Sequence, residues 1–186
     1  MTEKIKIVGF TGSLRKNSYN LAALRAAAKL LPAEAELEIL DLADLPFFNE
    51  DVEAVGVPEV VQRFKEKLAA ADAVLLSTPE YNYSLPPVLK NALDWASRGG
   101  NPLANKPTAI MSASIGMFGG ARAQLHLRQV LLRLNAAMVN QPEVFIANAA
   151  EKFAEDGTLT NERTQNSIKR LLNALLEKVQ AQKNSP

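Results

Sequence analysis

The sequence contains no cysteine and a single histidine, His126, among its 186 residues. The first absence removes disulfides, thiol redox chemistry and cysteine-held metals. The second leaves too few imidazoles for a histidine metal site, so no metal ligands are assigned. An excess of charge of one sign is missing too. With 21 basic and 20 acidic residues the formal net charge is +1, and no basic stripe interrupts the balance, which argues against nucleic acid as a partner. No apolar run approaches the roughly 20 residues needed to span a bilayer. The amino-terminal stretch Met1 to Lys6 lacks the charged, apolar, then small-residue order of a secretory signal. The expectation is a cytoplasmic protein with neither nucleic-acid nor membrane partners.

What the chain does have is a hydrophobic content of 47% with no shift in composition along its length, as expected for one domain over residues 1–186. Short β-rich runs alternate with longer helical patterns. Strands are expected at Ile5 to Phe10, Leu37 to Leu42, Ala73 to Ser77, Thr108 to Ser114 and Val144 to Ala147. Helices are expected at Ser18 to Leu31, Pro58 to Ala71, Pro86 to Ser97, Gly120 to Leu134 and Thr160 to Gln180. In the last helix Ile168, Leu171, Leu172, Leu175, Leu176 and Val179 form one apolar stripe. Five strand-helix alternations predict an α/β fold, a doubly wound five-stranded parallel sheet with helices on both faces. Order 2-1-3-4-5 is chosen because it makes the loops after strands one and three neighbours at the switch point, where such folds bind ligands.

Those two loops carry the chemistry. Gly12-Ser13-Leu14-Arg15-Lys16-Asn17-Ser18-Tyr19-Asn20 leads into a helix, whose amino terminus offers free N–H groups and partial positive charge to an anion. Ser13, Ser18 and Asn20 add side-chain hydrogen bonds, Arg15 and Lys16 add charge, and Gly12 is expected to permit close approach. The loop has neither G-x-G-x-x-G nor the Walker spacing, and its hydroxyls suit a terminal monophosphate. The plainer reading makes Ser18 only a helix cap. Pro79-Glu80-Tyr81-Asn82-Tyr83-Ser84 offers aromatic surface, backbone amides and an asparagine, a fitting edge for a flavin ring. Its plainer reading is a proline-rich turn with surface tyrosines.

These loops, with Leu89-Lys90-Asn91-Ala92-Leu93-Asp94-Trp95, Ser112-Ala113-Ser114-Ile115-Gly116 and Gly119-Gly120-Ala121-Arg122, resemble the NADPH-dependent FMN reductase family. Within it they are most similar to bacterial chromate and quinone reductases, which are azoreductase-like. The resemblance implies a flavodoxin-like fold, bound FMN, NAD(P)H as donor and a homodimer or homotetramer with the flavin near a subunit boundary. It places the phosphate on Ser13, Arg15, Ser18 and Asn20, the isoalloxazine against Glu80 to Tyr83, and Ser114 beside the ring or ribityl chain. Leu14, Lys16, Asn17, Tyr19 and Pro79 complete the cofactor-binding set. The implied chemistry is hydride transfer from NAD(P)H to flavin N5, then electron transfer to small-molecule acceptors in the same space, with ping-pong kinetics. Hydride transfer needs no general base, so no catalytic side chain is named. Met117 and Phe118 ahead of Gly119 depart slightly from the family pattern and would narrow the substrate cleft.

Outside the loops, Trp95 is read as core and Asp94 as a solvated or interface charge. Arg98 is either a clamp for an anionic substrate or a cation at a helix carboxyl terminus, and His126 is read as structural. Leu125, Leu127, Val130, Leu131, Leu132 and Leu134 form a band too wide for one core-facing stripe, which suggests a subunit interface. Two other classes stay open: a flavodoxin-type electron carrier, which would usually be acidic and against which the net charge of +1 speaks, and a binding or regulatory module that only senses flavin or another nucleotide.

Overall fold

The computed structural model describes residues 4–184; Met1 to Glu3, part of the amino-terminal stretch considered above, lie outside the described residues. The chain runs β1 (Ile5–Thr11), α1 (Tyr19–Leu30), β2 (Ala35–Ile39), α2 (Glu50–Val55), α3 (Glu59–Ala70), β3 (Ala73–Thr78), α4 (Pro87–Ser97), β4 (Pro107–Ala113), α5 (Ala121–Arg133), β5 (Ala137–Met138), β6 (Val144–Ile146) and α6 (Glu162–Lys183). All strands are parallel, in the order β2-β1-β3-β4-β5 with β6 also on β4. This is the expected doubly wound, flavodoxin-like order.

Local chemistry explains the boundaries. Ser18 caps α1 by accepting from the Leu21 N–H at 3.3 Å. Leu31, held extended by the following proline, ends the helix. Pro87 opens α4, where a missing N–H costs nothing. β3 and β4 are buried throughout, as their unbroken apolar runs require in a sheet covered on both sides. The alternating β2 lies at the edge with its odd positions turned in.

Three expectations need correction. The second strand is shifted to Ala35–Ile39, because the ladder pairs it with Ile5 to Gly9; Leu42, expected within it, is a buried anchor beyond its end. The fifth strand position holds two pieces, since β5 pairs with Pro107 and Thr108 while β6 pairs with Met111 to Ala113. Pro142, between them, has no N–H to give a ladder. Finally, α2 lies outside the expected helices. It is a short helix with no buried residue, started by Asn49, whose side chain accepts from the Asp51 N–H.

One face of the sheet packs α1 and α6 around Leu24, Leu75, Met111, Leu172 and Leu175. The other packs α3, α4 and α5 around Phe10, Leu68, Leu76, Leu93 and Leu127. Each such leucine contributes about 1.5–3 kcal/mol on burial. Trp95 is fully buried as expected, its indole N–H donating to Pro46 O at 2.8 Å. With both faces covered, the carboxyl ends of β1, β3 and β4 are left to carry the site.

Candidate functional site

The register places Thr11 beside Ser77, and Ser77 beside Met111, so the loops following β1, β3 and β4 emerge side by side. Asn20 fastens them. Its carboxamide oxygen accepts from Ser77 Oγ and from Ala113 N, both at 2.9 Å, and its Nδ2 donates to Ala113 O at 2.9 Å. At 3% exposure the side chain is committed to the strand ends. Gly12 is occupied differently from the expectation as well. A β-carbon there would stand 2.2 Å from Pro86 Cγ, so the start of α4 fills the space assigned to a ligand's approach.

Between Gly12 and Asn20 the turn is open to an anion. The backbone N–H groups of Leu14, Arg15, Lys16, Asn17, Tyr19 and Asn20 make no hydrogen bond among the described residues, and the Arg15 side chain makes none either. Ser13 and Ser18 are buried against this turn; Leu14, Arg15, Lys16 and Asn17 are exposed. Ser18 does cap α1, yet the cap satisfies only the Leu21 N–H and leaves the first-turn donors of Tyr19 and Asn20 free. The Tyr19 ring turns the other way, packing on Phe153 at 5.6 Å in the core. A cradle of free N–H groups at a helix amino terminus beside an unpaired guanidinium fits a phosphate monoester.

Beyond Pro79, Tyr81 and Ser84 exchange backbone hydrogen bonds at 3.0 Å. They close a tight turn in which Asn82 and Tyr83 both have positive φ, 49° and 67°. Asparagine tolerates that region; a tyrosine held there stores roughly 1–2 kcal/mol, a cost typical of functional sites. The turn is held from α5. Glu80 accepts from the Arg122 N–H at 3.0 Å and the Ala123 N–H at 3.3 Å, and pairs with the Arg122 guanidinium at 3.0 Å. Gly120, the residue before α5, has no side chain to cap it, so a carboxylate from another loop does so. Arg122 in turn lies 4.2 Å from the ring centroids of both Tyr83 and Phe118, a cation between two aromatic faces.

The third wall is Ser114 to Gly120. Ser114, half-buried, accepts from the Gly116 N–H at 3.1 Å. Ser112 Oγ donates to Gly119 O at 2.5 Å and accepts from Gln124 Nε2 at 2.9 Å, fixing the loop on β4. Gly119 and Gly120 have positive φ, and a β-carbon on Gly120 would stand 2.7 Å from Ser112 Cβ. Ile115, Met117 and Phe118 are left exposed together with Tyr81 and Tyr83, an apolar mouth above polar backbone.

Arg122, in the Gly119-Gly120-Ala121-Arg122 motif, has no task that the sequence assigns, although a cation in the first turn of a helix, where the dipole disfavours it, signals another partner. His126 is read above as structural; its Nδ1 lies 2.9 Å from Ser84 Oγ in the tyrosine turn. Arg98 is held by Glu53 at 2.7 Å and lies over Phe48 at 5.3 Å. The hydrogen bond from Arg98 keeps the Glu53 carboxyl below its ordinary range. Asp94 pairs with Lys90 at 2.6 Å.

The profile of the NADPH-dependent FMN reductases matches residues 5–151, which include all three loops. The chain belongs to that family. Its relatives include an NAD(P)H-dependent FMN reductase of Pseudomonas aeruginosa, 49% identical over 94% of this chain and 95% of that protein. A quinone reductase of Escherichia coli is 47% identical over 77% and 78% of the two chains. Among solved structures, the flavoenzyme FerB of Paracoccus denitrificans, an NAD(P)H:(acceptor) oxidoreductase, superposes with a TM-score of 0.87 at 38% identity, covering 95% of this chain and 97% of that one. An NAD(P)H-dependent flavin oxidoreductase is therefore the enzyme class, and the described residues include no helix long and apolar enough to cross a membrane.

Proposed function

We propose that this FMN reductase family member binds FMN in the three-loop crevice and uses it to carry electrons from NAD(P)H to quinones, azo compounds or oxidised metal ions such as chromate. The observation that carries the reading is the open turn before α1, with its free N–H groups and unpaired Arg15. In this reading Arg15, Ser13 and Ser18 hold the phosphate with the backbone of Leu14, Lys16, Asn17 and Tyr19. Asn20 acts one step back, fixing the strand ends that support the turn. Glu80, Asn82 and Tyr83, following Pro79, border the ring through their backbone amides and Tyr81 through its side chain, and Ser114 lies on the ribityl side.

FMN, when bound, supplies the two-electron chemistry: NAD(P)H is oxidised by loss of a hydride, and a quinone takes up two electrons and two protons, the second proton coming from solvent. The chain's own contribution is positioning. The strained tyrosine turn is clamped by Glu80 and Arg122, and N–H donors of that turn stabilise negative charge at the ring's polar edge. The exposed mouth of Ile115, Met117 and Phe118 admits donor and acceptor in turn, the basis for ping-pong kinetics. A single domain in the cytoplasm, acting as a homodimer or homotetramer, completes the proposal; the exposed Leu125 and Leu132 on α5 support the assembly.

The test is a flavin titration. Arg15→Ala combined with Ser18→Ala removes charge-assisted contacts of about 1.5–3 kcal/mol each, so FMN affinity should drop at least tenfold while the fold, followed by circular dichroism, persists. Undiminished affinity removes these residues from the phosphate role. Parallel lines in double-reciprocal plots of NADPH against quinone are the kinetic expectation, and intersecting lines refute the shared space.

A further inference from the structure

We propose that the groove on the β2 side of the anion loop is a subsite for an adenosine phosphate, extending the ligand beyond FMN alone. The proposal rests on the flavin reading for its point of departure, since Ser13 and Arg15 belong both to the proposed phosphate cradle and to the groove's wall. The groove has a volume of about 560 Å³, within the roughly 300–1,000 Å³ typical of small-molecule sites. Its walls combine three kinds of group. Arg15, Lys16 and Arg25 bring positive charge, and none of these side chains has a hydrogen bond or ion pair among the described residues. Leu14, Ile39 and Leu40 provide apolar surface, and Asp41 provides a carboxylate.

That combination matches the parts of an adenylate. Unpaired cations suit the phosphate, the apolar wall suits a face of the purine, and an acid suits the ribose hydroxyls. The placement parallels the dinucleotide-binding folds of order 3-2-1-4-5-6, where the ligand extends from a glycine-rich first loop toward the end of the second strand and an acidic side chain takes the ribose; this chain has neither that order nor that loop, so the likeness is one of position alone. Asp41 follows β2 by two positions. One of its oxygens accepts from the Ala43 N–H at 2.9 Å, which orients the carboxylate and leaves the second oxygen without a partner. The open turn before α1 thus has a flavin crevice on one side and, on the other, a charged groove that FMN itself does not need.

One chemistry has two sources here, the AMP half of FAD or the AMP half of the pyridine nucleotide. Neither Arg25 nor Asp41 belongs to the proposed FMN contacts, so Arg25→Ala and Asp41→Ala address the groove alone. FMN, FAD and AMP are titrated into wild type and variants by flavin fluorescence and calorimetry, and KM and kcat are measured with NADH. If FAD is the source, it binds wild type roughly tenfold or more tightly than FMN, and each variant erases the difference with FMN affinity unchanged. If pyridine nucleotide is the source, FAD and FMN bind alike, and each variant raises the KM for NADH, whose adenosine ribose keeps both hydroxyls, roughly tenfold at constant kcat. If FMN binds but neither quantity moves in either variant, the subsite is overturned. Should wild type bind no flavin, the functional reading fails instead, and AMP decides the groove separately: binding abolished by Arg25→Ala upholds it, and no binding refutes it.

Discussion

A β-carbon on Gly12 would meet Pro86 Cγ at 2.2 Å and Leu89 Cβ at 2.8 Å, two atoms backed by the rigid first turn of α4. Gly12→Ala should therefore destabilise the protein by about 1–3 kcal/mol, as overpacking does, and displace the anion turn with it. Urea denaturation reads the first effect and FMN titration the second; a variant with wild-type midpoint and affinity would show that the contact yields freely. The sequence marks this position as glycine but not the reason. Ligand approach and helix packing call for the same residue, and only the position of Pro86 separates them. Asn20 poses the same difficulty, since an amide beside a phosphate-type loop reads as a ligand until Ala113 and Ser77 are seen to occupy it.

Elements are tied to one another at their ends, where backbone groups fall unpaired. Glu80 capping α5 is one such tie, and Asp72 is another. It precedes β3, accepts from the Lys6 N–H at 2.8 Å and pairs with Lys183 at the end of α6 at 2.7 Å. Burial works to raise the Asp72 carboxyl, but the hydrogen bonds from Lys183 and Lys6 outweigh it and hold the group below its ordinary 3.8. A carboxyl lowered by folding stabilises the native state fully above its unfolded value and loses that contribution as pH falls below it. Asp72→Asn should thus lower stability at pH 7, by no more than about 1 kcal/mol for so exposed a pair. At pH 2.5 the gap to wild type should narrow. Urea midpoints at the two pH values check this, and a gap that widens in acid contradicts the assignment. The helix and strand types themselves are plain in the periodicity. The short α2 is not, because a helix with no buried residue leaves no apolar stripe to detect.

For the whole molecule, the outward face of α5 bears on assembly. α5 buries Leu127 and Leu131 against the sheet and exposes Leu125 at 60% and Leu132 at 72%, so the wide apolar band divides into a core face and an outward face. Sedimentation should give particles larger than the 20.2 kDa chain, and Leu132→Lys, which places a charge on the outward face, should shift them toward that mass. A wild-type protein that sediments as a monomer at micromolar concentration would refute the interface. From the amino-acid order alone come the alternation of strands and helices, the doubly wound sheet and the residue types of the two principal loops, because these depend on neighbours one to four positions apart. Tertiary structure alone decides which of those loop residues face a ligand and which serve the frame. Asn20 bonds to Ala113 across 93 positions and Glu80 to Arg122 across 42, and no local pattern encodes a partner that only the folded sheet brings within 3 Å.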